Sequence, residues 1–527
     1  MSVRPFQVVR GARLVDGEIH RGELADVLIG GDSIREIGPA GFAVPPDALE
    51  FDARDTLLMP GLVNAHTHGD VSMAKGLGDR LSLELLLNAG PLTSEQFRLE
   101  DKYLAAQLAA VEMVQTGCTA CYDLFSEYPL PSSEGLAAVG QAYADVGMRA
   151  VVAPLMADRS FWEAIPGLVD ALPPDLRKAV ERSAADPTDA SLDACRRALV
   201  TWPFDRDQVR LALAPTIPHH CEPEFFRACR ALADEYGVGI HSHVAESKVQ
   251  AVVGLRKFGK TLTAHLDELG VVGPDFTAAH AVWVDEDDIR RLATRGATVA
   301  HNPTSNLRLG AGVAQTRAMI DAGLSVGIGT DAATCSDALN VFEAMRLACQ
   351  LSRIHSPDPD TWLTAEDVVG MATRGSARAL GFEGIIGSFD AGAKADLVFL
   401  DLARIQYLPF NHAVRQVVFQ ENGSGVRDVM VGGRFVVRAG RVVTVDVERL
   451  RSDVERSVER LRAARSETED LVRRLEPVVG QFCLALAREP YHVHRLIGQE
   501  SSDLTAPAKM DDTKHAHSTS RPPDSSG

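Results

Sequence analysis

No stretch of about 18 uninterrupted apolar residues occurs in the 527-residue chain, so a membrane-spanning helix is not expected. The opening run, MSVRPFQVVRGARLVDG, lacks the apolar core of a secretory signal. Cysteine is sparse: eight residues at irregular spacings, which suits reduced thiols rather than a disulfide framework. These absences together predict a cytoplasmic protein. Positive charge is also short, with 54 Lys and Arg against 72 Asp and Glu and a net charge of −18. That balance excludes the cationic face on which non-specific nucleic-acid binding depends. The acid excess serves solubility and does not identify a substrate. No GxGxxG loop is present, which argues against a dinucleotide-binding sheet.

What is present is enough apolar material, 45% of residues, for a large core and more than one domain. Short β-like runs, FQVVRGARLVDG and ADVLIGGDSIREIG, occupy residues 1–58, and a similar texture returns in ADLVFLDL and VRDVMVGGRFVVRAGRVVTVD. One small β-sandwich domain built from 1–58 and 384–446, with a larger domain at 59–383 between them, is the simplest reading. Within 59–383, eight apolar strand-like runs alternate with helical patterns, from LMPGLVNAHTH to SVGIGTD. Strands apolar on both faces and separated by helices predict a parallel sheet. Eight such units favour a (β/α)8 TIM barrel, an α/β fold. The long connection 156–208 is a candidate lid or substrate wall. Residues 447–500 read as a helical hairpin extension, with stripes at Leu450, Val454, Val458, Leu461 and at Leu471, Leu475, Val478, Phe482, Leu486. The tail 501–527 has the composition of a disordered segment.

His66 and His68 close the first predicted strand. Two apart on a strand, they share a face, so both imidazoles can reach one ion. His243, His280 and Asp331 end the fifth, sixth and eighth predicted strands, and in a (β/α)8 barrel such ends converge on one catalytic face. Nitrogen donors with a carboxylate suit a borderline divalent metal, which lowers the pKa of water toward ~7. Cys118 and Cys121 form a CxxC inside an apolar run without a second pair, and read as buried structural thiols.

The segments PGLVNAHTH, HSHVAES, TAAHAVW, VAHNPTSNLRLGAG and GTDAA resemble the signature segments of the amidohydrolase superfamily, in its deaminase and s-triazine chlorohydrolase branch. The resemblance implies four metal ligands, His66, His68, His243 and Asp331. It implies Glu246 as general acid/base and His280 as the histidine beside the reacting water, with Asp331 sharing the proton. No lysine stands in VRLALAPTIPHH, where two-metal members carry a bridging one, so a single ion is expected, zinc first, with iron, cobalt or manganese compatible. His241, on the same strand face as His243, is expected in a supporting role. His219 and His220 are candidates to line the pocket, and Asn302 and Asn306 are assigned to turn chemistry.

The implied activity is hydrolysis of a C–N bond in a small molecule, most simply deamination of an aminated heterocycle. The alternative is a urea, carbamate or amide hydrolase, or a dechlorinating one, using the same site. A non-catalytic scaffold is opposed by the intact set of residues. Nucleoside deaminases of this branch carry a Trp-Leu pair and a substrate-binding Glu where this chain reads SLELLLNAG, which speaks against purine nucleoside recognition, and Met73, Leu85, Leu86 and Leu87 predict a more apolar pocket. A homodimer through the C-terminal helices is the expected assembly.

Overall fold

The computed structural model describes residues 6–94, 96–128, 130–182, 188–336, 338–464 and 466–496. The tail predicted to be disordered lies outside them. Strands form where apolar runs were read. Leu62–Thr67, Cys118–Phe125, Arg149–Met156 and Val209–Leu211, continued by Ala214–Pro215, build one parallel sheet. Ile240–Val244, Phe276–His280, Thr298–His301 and Ser325–Ile328 build a second. Most of these strand residues are buried, as expected when helices cover a sheet's outer face and side chains fill the inner one.

Main-chain hydrogen bonds cross between the two sheets on both sides. At one seam Leu213 N donates to Gly239 O and His241 N donates to Leu213 O. At the other, Thr330 N and Asp331 N both donate to His66 O, at 3.2 and 2.9 Å. Helices occupy the connections, several with legible ends: Ser132 caps Ser133–Val146, and Gly147 closes it at φ 81°.

The outlying β-segments of the chain meet in one nine-stranded sheet. Thr56–Pro60 pairs antiparallel with Leu397–Asp401, Leu58 opposite Phe399. Val9, Val27, Ile29, Leu58, Leu397 and Phe399 share one buried cluster on it. A buried ion pair fixes this sheet to the parallel strands. Arg149 Nε and Nη2 hold the two oxygens of Asp396 at 2.8 and 3.0 Å, and Gly432 N adds a bond to Asp396 at 2.7 Å.

The C-terminal helices Val447–Ala464 and Ser466–Ala487 pack on their own chain. Ser457 and Arg460 both bond Asp101, and Leu450 and Leu461 are buried. In the second helix Leu475, Val479, Cys483 and Leu486 are buried, while Val478 and Phe482 are only half-buried. The stripe is thus rolled from the predicted one. Gly480 lies on the buried side, where a Cβ would stand 3.6 Å from Leu85 Cδ2. Leu85, predicted for the pocket, is used in this contact. Among the described residues no helix is long and apolar enough to cross a membrane, and all eight cysteines are free and buried.

The Arg149–Asp396 pair yields a stability prediction. Asp396→Ala leaves a buried guanidinium without its counter-charge and should cost ~3–5 kcal/mol, read by urea unfolding. Unchanged stability would mean that water reaches Arg149 and the pair is dispensable.

Candidate metal centre

Six residues from the ends of the parallel strands converge. His66 belongs to Leu62–Thr67 and His68 follows it; His243 and His280 end or nearly end their strands; Asp331 stands three residues beyond Ile328; Glu246 lies in the turn after Val244. His66 Nε2 and His68 Nε2 lie 3.4 and 3.3 Å from Asp331 Oδ1, and His68 Nε2 faces His243 Nε2 at 3.3 Å. His280 Nε2 is 3.5 Å from Glu246 Oε2 and 3.9 Å from Asp331 Oδ2. All six residues are buried or nearly so.

The backbone is strained to make this possible. Ala245, His280, Ala281 and Asp331 adopt φ of 50°, 69°, 47° and 65°, conformations that cost about 1–3 kcal/mol each. Glycine is required at 329, where a Cβ would lie 2.1 Å from Asn302 Oδ1 and 2.9 Å from His66 Cβ.

Each ring is aimed by its far nitrogen. His68 Nδ1 meets Leu124 O at 2.7 Å, and His243 Nδ1 meets Thr216 O at 2.8 Å. Donation to these carbonyls turns each Nε2 inward, toward the cluster. His66 Nδ1 contacts His241 Nε2 at 3.2 Å, which gives His241 its supporting place. His280 Nδ1 donates to Asn306 Oδ1 at 2.9 Å, so Asn306 does more than turn chemistry. Ser305, not singled out from sequence, donates to Asp331 Oδ2 at 2.6 Å. Glu84, equally unremarked, accepts from Ser247 at 2.7 Å, beside Glu246.

The electrostatics match a cation-binding centre. Burial drives the His66 pKa down to about 3 and holds His243 well below the imidazole range, the neighbouring rings adding to the effect. Burial also opposes charge on His68, but the hydrogen bond and charge of Asp331 outweigh it and raise that ring to about 9. Burial favours a neutral Asp331 as well, yet His66 and His68 keep it well below the carboxylate range. Glu246 is pushed well above its usual range by burial, then by the charges of Asp331 and Glu84. Among the described residues His66 Nε2 and His280 Nε2 have no hydrogen-bond partner. Donors about 2.0–2.1 Å from an ion and tetrahedrally arranged would be ~3.3 Å apart, the spacing seen here. Donor atoms of His66, His68 and Asp331 lie within 4.8 Å of one another, as do those of His66, His243 and His280. The residues fit a single divalent ion.

Beside the cluster is a cavity of about 330 Å³. Met73, Leu86, Leu87, Phe161 and Trp162 supply apolar wall, and Asp70 and His220 supply polar points. Phe161 and Trp162 belong to the long connection after the third strand. His219 is buried but does not line the cavity, and Cys118 and Cys121 lie away from it.

The amidohydrolase family profile matches residues 57–436. The chain belongs to the amidohydrolase family. It is 31% identical over 417 residues to the 5'-deoxyadenosine deaminase of Methanopyrus kandleri, covering 79% of this chain and 89% of that one. It is 34% identical over 421 residues to the 5-methylthioadenosine/S-adenosylhomocysteine deaminase of Nitratidesulfovibrio vulgaris, covering 79% and 88%. Among solved structures it is similar to an adenosine deaminase from Xanthomonas campestris with bound zinc, at TM-score 0.76 and 26% identity, covering 87% and 98% of the two chains. It is also similar to atrazine chlorohydrolase from Arthrobacter aurescens TC1 complexed with zinc, at 0.76 and 25%, covering 86% and 99%. This amidohydrolase is a metal-dependent hydrolase of carbon–nitrogen bonds other than peptide bonds.

Ser305 tests how the centre is held. Ser305→Ala removes the donor that orients Asp331 and should weaken binding of a divalent ion roughly 10- to 100-fold, measured by chelator competition with zinc as the probe. Equal affinity in the variant would show that Asp331 is fixed by other contacts.

Proposed function

We propose that this amidohydrolase is an aminohydrolase that replaces the exocyclic amine of a small aminated heterocycle with oxygen and releases ammonia. One divalent ion, zinc in the first instance and iron, cobalt or manganese as substitutes, would be held by His66, His68, His243 and Asp331. The observation that carries this reading is the approach of those donors to 3.3–3.4 Å beside Glu246, with His280 3.5 Å from its carboxyl. When bound, such an ion acts as a Lewis acid that lowers the pKa of water and polarises the attacked carbon.

The proton work belongs to the chain. Glu246 lies between the cluster and the cavity, where it can take one proton from water and deliver it to the departing nitrogen. Its raised affinity for a proton, a product of burial beside Asp331 and Glu84, matches that shuttle. His280, held through Nδ1 by Asn306, presents Nε2 to both Glu246 and Asp331 and orients the attacking oxygen. The deaminase relatives support the amine as leaving group. The apolar walls support a second reading, hydrolysis of a urea, carbamate or amide, or dechlorination, since atrazine chlorohydrolase shares the fold at similar identity.

We assign the two parallel sheets to one closed (β/α)8 barrel, on the strength of the main-chain bonds at both seams. Residues 59–383 would form it, with 1–58 and 384–446 as a composite β-domain and 447–500 as a helical extension. The eight free thiols support a cytoplasmic location. A homodimer through the outer faces of the C-terminal helices completes the reading, and light scattering of the full chain decides it.

The test is turnover of a panel containing 5'-deoxyadenosine, S-adenosylhomocysteine, guanine, atrazine and phenylurea, with ammonia and chloride release followed separately. Ammonia from a ring amine is expected. Chloride release alone, or cleavage of the urea alone, would move the enzyme to the second reading. Glu246→Gln should keep its zinc and lose about 10²- to 10⁴-fold in kcat, whereas His243→Ala should lose the zinc itself by elemental analysis. Full activity of Glu246→Gln would remove Glu246 from the chemistry.

A further inference from the structure

Beyond the last helix, the segment Tyr491–Arg495 returns to the loops that follow the strands Phe276–His280 and Thr298–His301. Arg495 is only 7% exposed. Its guanidinium makes no ion pair among the described residues and spends its donors on main-chain carbonyls. Nε donates to Val282 O at 2.9 Å, Nη2 to Val284 O at 2.6 Å and Nη1 to His494 O at 3.0 Å. The carbonyl of Arg495 in turn accepts from Val313 N at 2.9 Å. A buried guanidinium without an ion-pair partner is costly, so its use on three main-chain carbonyls, two of them in the segment 282–284, calls for an explanation.

The clamped segment provides one. It begins at His280, where φ is 69°, and Ala281, where φ is 47°. The main-chain groups of residues 281–284 form hydrogen bonds on two sides. On the inner edge, Ala281 N donates to Val244 O at 3.1 Å and Trp283 N donates to Ala245 O at 2.8 Å. Those two carbonyls immediately precede Glu246. On the outer edge, Val282 O and Val284 O face Arg495. The loop after the next strand is tied in too. Trp283 Nε1 donates to Ala311 O at 2.6 Å, and Ala311 N donates to the carbonyl of Asn306, the residue that orients His280.

We propose that Arg495 is a positioning residue for catalysis. By holding the outer edge of residues 282–284, it fixes the inner edge and thereby the orientation of Glu246 and His280. The C-terminal extension is then part of the active-site architecture. This rests on the roles proposed above for Glu246 and His280.

The experiment uses the full chain with Arg495→Ala, and Arg495→Lys as the milder variant should the first fail to fold. Turnover is read with the compound of the panel that reacts fastest, and amide hydrogen exchange is read over residues 276–286. Arg495→Ala should lose about 10²-fold in kcat, the cost of a small misplacement, with KM and bound zinc unchanged. Guanidinium ion added to the assay should restore part of the rate, as a role in bulk stability alone would not allow. Exchange at Ala281 and Trp283 should rise roughly tenfold, while the strand Leu397–Asp401 is unaffected. Parent-like kcat and exchange in the folded variant would overturn the proposal, as would loss of zinc together with activity. Glu246→Gln and His280→Ala are run alongside. If they keep full activity, the reading of the site fails by itself, and the exchange data still judge whether Arg495 clamps the loop.

Discussion

The whole structure depends on crowding imidazole and carboxylate groups together at the buried ends of the parallel strands. Burial alone would neutralise every one of these groups. Asp331 opposes this, since the hydrogen bonds and charges of the histidines beside it outweigh burial and hold its carboxyl well below the usual range. The unpaired Nε2 atoms of His66 and His280 are therefore not a packing defect. They are the polar capacity that a cation satisfies, and they persist because each ring is anchored from its other nitrogen to a rigid strand or its neighbour.

Rigidity of that kind has to be supplied from outside the cluster. Four strained residues, Ala245, His280, Ala281 and Asp331, lie at the strand ends, and strained backbone survives only where its surroundings over-determine it. Here the surroundings are the seam bonds from Thr330 and Asp331 to His66 O, the hydrogen bond from Ser305, and the two-edged support of residues 281–284. The nine-stranded sheet and the Arg149–Asp396 pair serve the same end at greater distance, by fixing the third strand against a second layer.

Much of this was legible in the chain. An HxH at the end of an apolar run, and single His or Asp residues at the ends of later runs, can be read because strand geometry decides where they point. The position of each strand followed from apolar runs broken by Gly and charge. Other parts left no such trace. Arg495 acts on main-chain carbonyls, which every residue possesses, so nothing in the sequence marks its partners. Ser305 and Asn306 sit in a loop where turn chemistry accounts equally well for their composition. Leu85 shares its helix with Leu86 and Leu87, and only the approach of Gly480 shows that it faces the C-terminal helix rather than the cavity. Val479 and Cys483 stand in the buried stripe in place of their neighbours Val478 and Phe482, and a rotation of some 100° per residue separates those faces.

The pairing of Thr56–Pro60 with Leu397–Asp401 also sets the order of events during synthesis. The earlier strand is apolar and fully buried in the finished molecule, yet its partner leaves the ribosome ~340 residues later, roughly 17–70 s at ordinary elongation rates. For that interval a sticky edge has no native neighbour on one side. The sheet of this amidohydrolase can therefore close on that side only after most of the chain has been made.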